Sequence, residues 1–248
     1  MFESLSLAQI VFVAIAAFAG SVAAGISGMG GGMLLAIAIA PIVGIQALIP
    51  VMTVAMLINH IARVRAFHAH VDWPSARRVM LTALPMTAVG AMFYSILPAD
   101  AVALVIGCFV LIFVPARRLL GNAPWNLSAA AFAGVGGIFG FVSGTAIGAG
   151  MIIIPALLGH GLVGPALVGT DAVIGLAVLV VKAIIFSSFA ILTRDLVIFG
   201  LIIGVTTIPG VFLARWIMAH TSVRVHTILI EVLLLVGGAS FVWRGLTA

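Results

Sequence analysis

The sequence predicts an all-α polytopic membrane protein made of two repeated halves. Three observations carry that prediction. Hydrophobic residues fill 64% of the 248 positions and charged ones 7%, with a mean hydropathy of +1.40. Positions 4–62 and 119–170 hold no Lys, Arg, Asp or Glu. Glycine-rich segments recur at 25–32 and 143–150, one in each half. A soluble domain carries roughly 25% charged residues. Eleven Lys and Arg with six Asp and Glu cannot cover a soluble surface of this size, so lipid is the solvent. One crossing takes about 20 apolar residues for roughly 30 Å of hydrocarbon, and each charge-free stretch is long enough for two or three.

The elements follow in order. A first helix reads 7–24 and runs into the segment from Gly25 to Gly32. A short apolar helix follows to Pro41, and a third spans 46–65, its end marked by Arg63 and Arg65. Residues 66–78 are polar and basic, and Asp72 and Pro74 are placed to cap and start the fourth helix, read over 77–97. A tight turn at Pro98–Asp100 leads to a fifth helix over 101–114. The polar stretch 121–126 divides the halves, 1–121 and 122–248. In the second half a helix from Leu127 meets the glycine segment from Ser143 to Gly150. A short helix over 151–158 follows, then longer ones over 165–190, 195–218 and 224–243.

The halves answer each other. Phe18-Ala-Gly20 corresponds to Phe132-Ala-Gly134, Gly30-Gly-Gly-Met33 to Gly148-Ala-Gly-Met151, and Val51-Met-Thr53 to Val168-Gly-Thr170. Two membrane halves with one layout are a signature of secondary transporters. If both short helices cross, each half has five crossings and the second is inverted. If the glycine hairpins are re-entrant, each half has four and the repeats run parallel. The inverted 5+5 arrangement is preferred because it suits alternating access. The basic loop 63–78 and the Arg117–Arg118 cluster share one side, which the positive-inside rule makes cytoplasmic.

Several function classes drop out. The net charge of +5 sits in short clusters between apolar runs, so nucleic acid is not the partner. The apolar segments recur to the C-terminus, unlike a soluble protein behind a signal peptide. Cys108 is the one cysteine, so no internal disulfide forms. No Walker, HExxH, CxxC or GxSxG pattern appears, no His and carboxylate spacing supports a metal, and no cofactor is called for. Trp73, Trp125, Trp216 and Trp243 fall near helix ends, as in an aromatic belt.

The glycine segments carry the functional reading. A helix broken at membrane depth exposes polar backbone, which lipid tolerates only around a cavity. The helices starting after Gly30–Gly32 and Gly148–Gly150 would turn their partial positive ends to that cavity, which suits an anion. Gly25, Gly28, Gly31 and Gly144 belong to the same segments, and Ser27, Ser143, Thr145 and Thr170 add hydroxyls. The competing reading is close helix packing. Lys182 is the natural cation for a bound anion unless it snorkels to an interface. Asp171, eleven residues earlier, faces the same way about 16 Å off along the axis. It is read as a cap, an ion-pair partner or a coupling group. Asn59 is read as a bond to a neighbouring helix and, less favoured, a substrate contact. Glu231 is a candidate carrier for a coupling proton or a partner for a basic group.

The stretches Ala24–Gly32, Phe67–Trp73 and Gly169–Asp171 resemble the signatures of the TauE/SafE family of sulfite exporters and related permeases, over nearly the whole chain. That resemblance implies transport of a small sulfur-containing or organic anion, such as sulfite or sulfoacetate, across the bacterial inner membrane. Ala149 departs from the family pattern by interrupting the second glycine triplet. The partners expected are thus a small anion, the lipid bilayer and, as the simplest coupling ion, a proton. An anion channel is the alternative, and an intramembrane enzyme or assembly factor a remoter one.

Overall fold

The computed structural model describes residues 6–27, 31–120, 127–220 and Trp243. Among them are nine α-helices and one short 3-10 turn. They are α1 (Leu7–Ser27), α2 (Gly31–Val43), α3 (Ile45–Phe67), the 3-10 turn His68–His70, α4 (Trp73–Ser95), α5 (Ala99–Leu120), α6 (Ala129–Thr145), α7 (Gly150–Gly159), α8 (Gly164–Ser188) and α9 (Arg194–His220). The all-helical, polytopic class read from the sequence is therefore the class observed. The expected tenth helix, 224–243, lies outside the described residues except for Trp243, and so does the boundary segment 121–126.

Four helices, drawn from α1, α3, α8 and α9, are both long and apolar enough to cross a bilayer. At about 1.5 Å per residue, α2 with 13 residues is about 20 Å long and α7 with 10 residues about 15 Å. Neither alone crosses roughly 30 Å of hydrocarbon. Helix ends differ from the sequence expectation by local chemistry. α4 starts four residues early because the Asp72 carboxylate accepts the Ser75 N–H at 3.0 Å, an N-cap. Ser128 does the same for α6, accepting from the Ala131 N–H. Arg63 does not mark a helix end: α3 continues a full turn past it to Phe67.

The surface is inverted relative to a soluble protein. Leu7 and Leu81 are 77% and 78% exposed, while Arg63, Asp171 and Lys182 are buried. With no water in hydrocarbon, polar groups must find partners inside. Pro50, inside α3, lacks the N–H that would bond the Gln46 carbonyl. The Tyr94 hydroxyl of α4 donates to that carbonyl instead, at 2.8 Å.

Without a hydrophobic drive between helices in lipid, small residues and interhelical hydrogen bonds hold them. A long, close seam joins α4 and α6. Gly136, Gly140 and Gly144 recur every four residues along one face of α6. A Cβ on any of them would collide with α4, on Val79 and Thr82, on Ala83, or on Thr87, Gly90 and Ala91. Hydroxyls of α4 cross the same seam: Thr82 donates to the Ala133 carbonyl at 2.7 Å and Thr87 to the Gly140 carbonyl at 3.1 Å. On the other flank, α9 packs against α1 and α3, and Gly200, Gly204 and Gly210 meet Val54, Ile58 and Ser21.

The seam sets a stability contrast. Gly140→Ala must force α6 off the Ala83 backbone, and overpacking of this kind costs about 1–3 kcal/mol. Gly134→Ala, with open space at its Cβ, should be neutral or stabilising by up to about 1 kcal/mol. Thermal unfolding of the two variants in detergent micelles checks this, and equal melting temperatures would reject the seam.

Candidate functional site

The breaks in the helices lead inward. α6 ends at Thr145, and Ala146 is extended, with φ −136° and ψ 179°. Gly148 then takes φ +92°, a left-handed conformation that favours glycine. A Cβ there would also meet the Met33 methyl of α2. Ala149, which interrupts the glycine triplet, has φ −55° and ψ −19°, an ordinary helical conformation. No glycine is required at that position, so the departure leaves the local fold intact. The start of α7 at Gly150 and the start of α2 at Gly31 come to line one cavity of about 140 Å³. Helix geometry leaves the first N–H groups of each without an acceptor in their own helix; at α7, Met151 and Ile152 donate instead to the Gly148 and Ala149 carbonyls at 3.0 and 2.8 Å.

Among the described residues, three charged side chains wall this cavity. Arg63 of α3 and Asp171 of α8 form an ion pair, with Nη2 donating to Oδ2 at 2.9 Å. Both are buried. The pairing is single-stranded: the Arg63 Nε–H is buried with no hydrogen-bond partner. Lys182, three turns further along α8, donates through Nζ to the Ser143 carbonyl at 2.7 Å and to the Ala146 carbonyl at 3.5 Å. It lies 5.5 Å from the Phe186 ring centroid. A cation at the end of α6 is also favoured by that helix's dipole. Lys182 is 3% exposed, so it points into the protein and not toward an interface.

The rest of the wall is apolar or neutral. Met52, Met56 and His60 follow one another at four-residue spacing on α3, and all three line the cavity. The His60 Nδ1 lies 2.9 Å from the Met56 carbonyl, so Nδ1 carries the proton that it donates. The ring packs so closely on α8 that a Cβ at Gly175 would strike Nε2 and Cδ2.

The residues singled out in the sequence divide. Gly31, Gly32, Ser143, Gly148, Gly150 and Lys182 line the cavity, as do Asn59 and Asp171. Asn59 also donates through Nδ2 to the Ser21 hydroxyl of α1 at 3.0 Å, and Ser21 donates to the Thr207 carbonyl of α9 at 2.7 Å. Gly25 packs on Ala214 of α9, and Gly144 on α4, so both serve helix contact. Thr145 turns its hydroxyl back to the Phe141 and Val142 carbonyls of its own helix. Thr170 accepts the Asp72 N–H at 2.9 Å, toward the α3–α4 connection. Ser27 ends α1. Gly28, Gly30 and Glu231 lie outside the described residues. Arg63 was read as a loop charge and is the residue that sequence reasoning missed. The signal was Asp171 itself, because a carboxylate inside a bilayer calls for a cation within reach.

Fold and cavity together define a polytopic membrane protein with a cation-walled internal pocket. The sulfite exporter TauE/SafE family matches residues 12–241, and the chain belongs to that family, one of membrane transporters. No curated protein matches the chain. No solved structure matches it either.

The buried pair is open to a stability cycle. Asp171→Ala leaves the Arg63 guanidinium buried without a carboxylate, which costs about 3–5 kcal/mol. The double variant Arg63→Met/Asp171→Leu should be more stable than either single change, since it removes both charges. Unfolding measured in micelles for the four proteins gives the coupling, and purely additive losses would show that the two charges do not depend on each other.

Proposed function

We propose that the chain is a secondary transporter that carries a small sulfur-containing or organic anion, of the sulfite, sulfoacetate or sulfonate type, across the bacterial inner membrane. The anion binds in the cavity between the two halves, and the halves rock to expose it to either side. One observation carries the reading: the described wall of the cavity holds two buried cations, Arg63 and Lys182, against one carboxylate, Asp171. A buried, uncompensated ammonium is costly, and an anion is what relieves it. Family membership supports the substrate class. The glycine-broken starts of α2 and α7 line the same cavity, where the positive end of a helix dipole favours an anion.

Within this reading the work is transport and not catalysis. Lys182 is held by the Ser143 and Ala146 carbonyls, neutral partners that an anion can displace. The sequence has no nucleotide-binding motif, so a gradient drives the cycle, with a proton as the coupling ion.

The test is flux in liposomes reconstituted with the purified chain, against sulfite, sulfoacetate, simple sulfonates and carboxylates, with and without a pH gradient. Saturable flux of at least one sulfur-containing anion is expected. Lys182→Met should lower its transport efficiency about 10- to 100-fold, the size of a lost charge-assisted hydrogen bond. Flux that never saturates would make the protein a channel, and unchanged flux in Lys182→Met would remove the ammonium from the site.

A further inference from the structure

Arg63 is bonded to less than it can bond. A guanidinium has five N–H donors in a fixed fork, and its Nε–Nη edge matches two oxygens of an oxyanion. Here one Nη2 contact to Asp171 is made and the Nε–H is buried without a partner. Both residues face the cavity. An oxyanion arriving there offers what the carboxylate leaves unfilled.

We propose that Asp171 is the stand-in for the transported anion: the anion takes Arg63 from it, and the freed carboxylate takes up one proton. The inference rests on the anion-transport reading and assigns the coupling proton to Asp171, not to Glu231. The step balances. The Arg63–Asp171 ion pair breaks, an Arg63–oxyanion pair forms, and one proton from solvent converts the Asp171 carboxylate to a carboxylic acid. The buried charge is the same before and after, so the site never holds a bare carboxylate beside a bound anion, which a buried setting disfavours. Lys182 needs no such exchange, because its partners are carbonyls.

Among the described residues, the surroundings of Asp171 leave few other proton acceptors. From α3, Arg63 and His60 face the cavity with Asp171. α6 and α7 contain no ionisable side chain. On the α3–α4 connection, His68 and His70 are exposed, and Asp72 is occupied in capping α4. Arg77 and Arg78 of α4 are exposed. From α9, Arg215 lies over the Phe67 ring at 5.9 Å. On α8 itself, Lys182 is three turns away.

The experiment is calorimetric titration of the full chain in detergent with sodium methanesulfonate, which stays a monoanion, in two buffers of different ionisation enthalpy and at two pH values. The wild type should take up about one proton per anion bound, and its affinity should tighten about tenfold per unit fall in pH. Asp171→Asn should bind with no proton uptake and no pH dependence. If that variant does not fold, Asp171→Ser, which keeps Arg63, serves in its place, and proton uptake on binding should be lost there too. Uptake that persists in either variant places the proton on another group, His60, Lys182 or Glu231, and overturns the proposal. Wild-type binding without uptake also overturns it and leaves anion transport standing. No binding at either pH overturns the anion site itself and with it the transport reading.

Discussion

The structure depends on one constraint: inside hydrocarbon there is no water to satisfy a polar group, so each must be satisfied by the protein. The consequences appear wherever the apolar run is interrupted. Pro50 frees a carbonyl, and Tyr94 arrives to bond it. Asn59, Ser21 and Thr207 tie α3, α1 and α9 by a chain of two hydrogen bonds. Lys182 rests on the carbonyls where α6 stops. Asp171 and Arg63 neutralise each other at 2.9 Å. Among the buried side-chain groups of the described residues, the exception is the Arg63 Nε–H, and it lies on a residue of the cavity wall.

Glycine does two jobs here, and they separate by position. On the straight face of α6, Gly136, Gly140 and Gly144 let α4 approach to backbone contact. At the break, Gly148 supplies a positive φ and clears the Met33 methyl. The first job builds a rigid seam between α4 and α6. The second ends α6 where its last carbonyls can hold Lys182. Close packing and site formation are therefore adjacent parts of one segment, 136–150, and not rival explanations of it.

Much of this was legible beforehand. The apolar runs located the helices, since length and charge alone decide what lipid accepts. The glycine segments and the two charges of α8 located the cavity. Other parts depended on facts that one-dimensional patterns do not hold. Arg63 and Arg65 look alike in sequence, yet residues two apart on a helix face nearly opposite ways; Arg65 is exposed and Arg63 buried. Gly144 and Gly148 are one helical turn apart in number, but a helix end falls between them. Thr145 and Thr170 carry hydroxyls at plausible places, and each found a backbone partner nearer than the cavity.

The ion pair raises a question that stability does not answer. Two charges taken from water lose solvation that their attraction barely restores, and apolar residues of similar volume are often as stable or better. An Arg–Asp pair closing a gap between α3 and α8 is thus no structural necessity. Residues chosen only to seal that gap would resemble the cluster one turn further out, where Ala62, Ala66, Phe67, Val168 and Val211 pack together. There α3, α8 and α9 meet through apolar side chains, with no ion pair between α3 and α8 among the cluster residues. The pair stands where the seal gives way to the cavity, and Lys182 bounds the same cavity about 16 Å along α8. The described pocket therefore carries charge at both ends with a cationic surplus, and that surplus is what supports the proposed anion as its occupant.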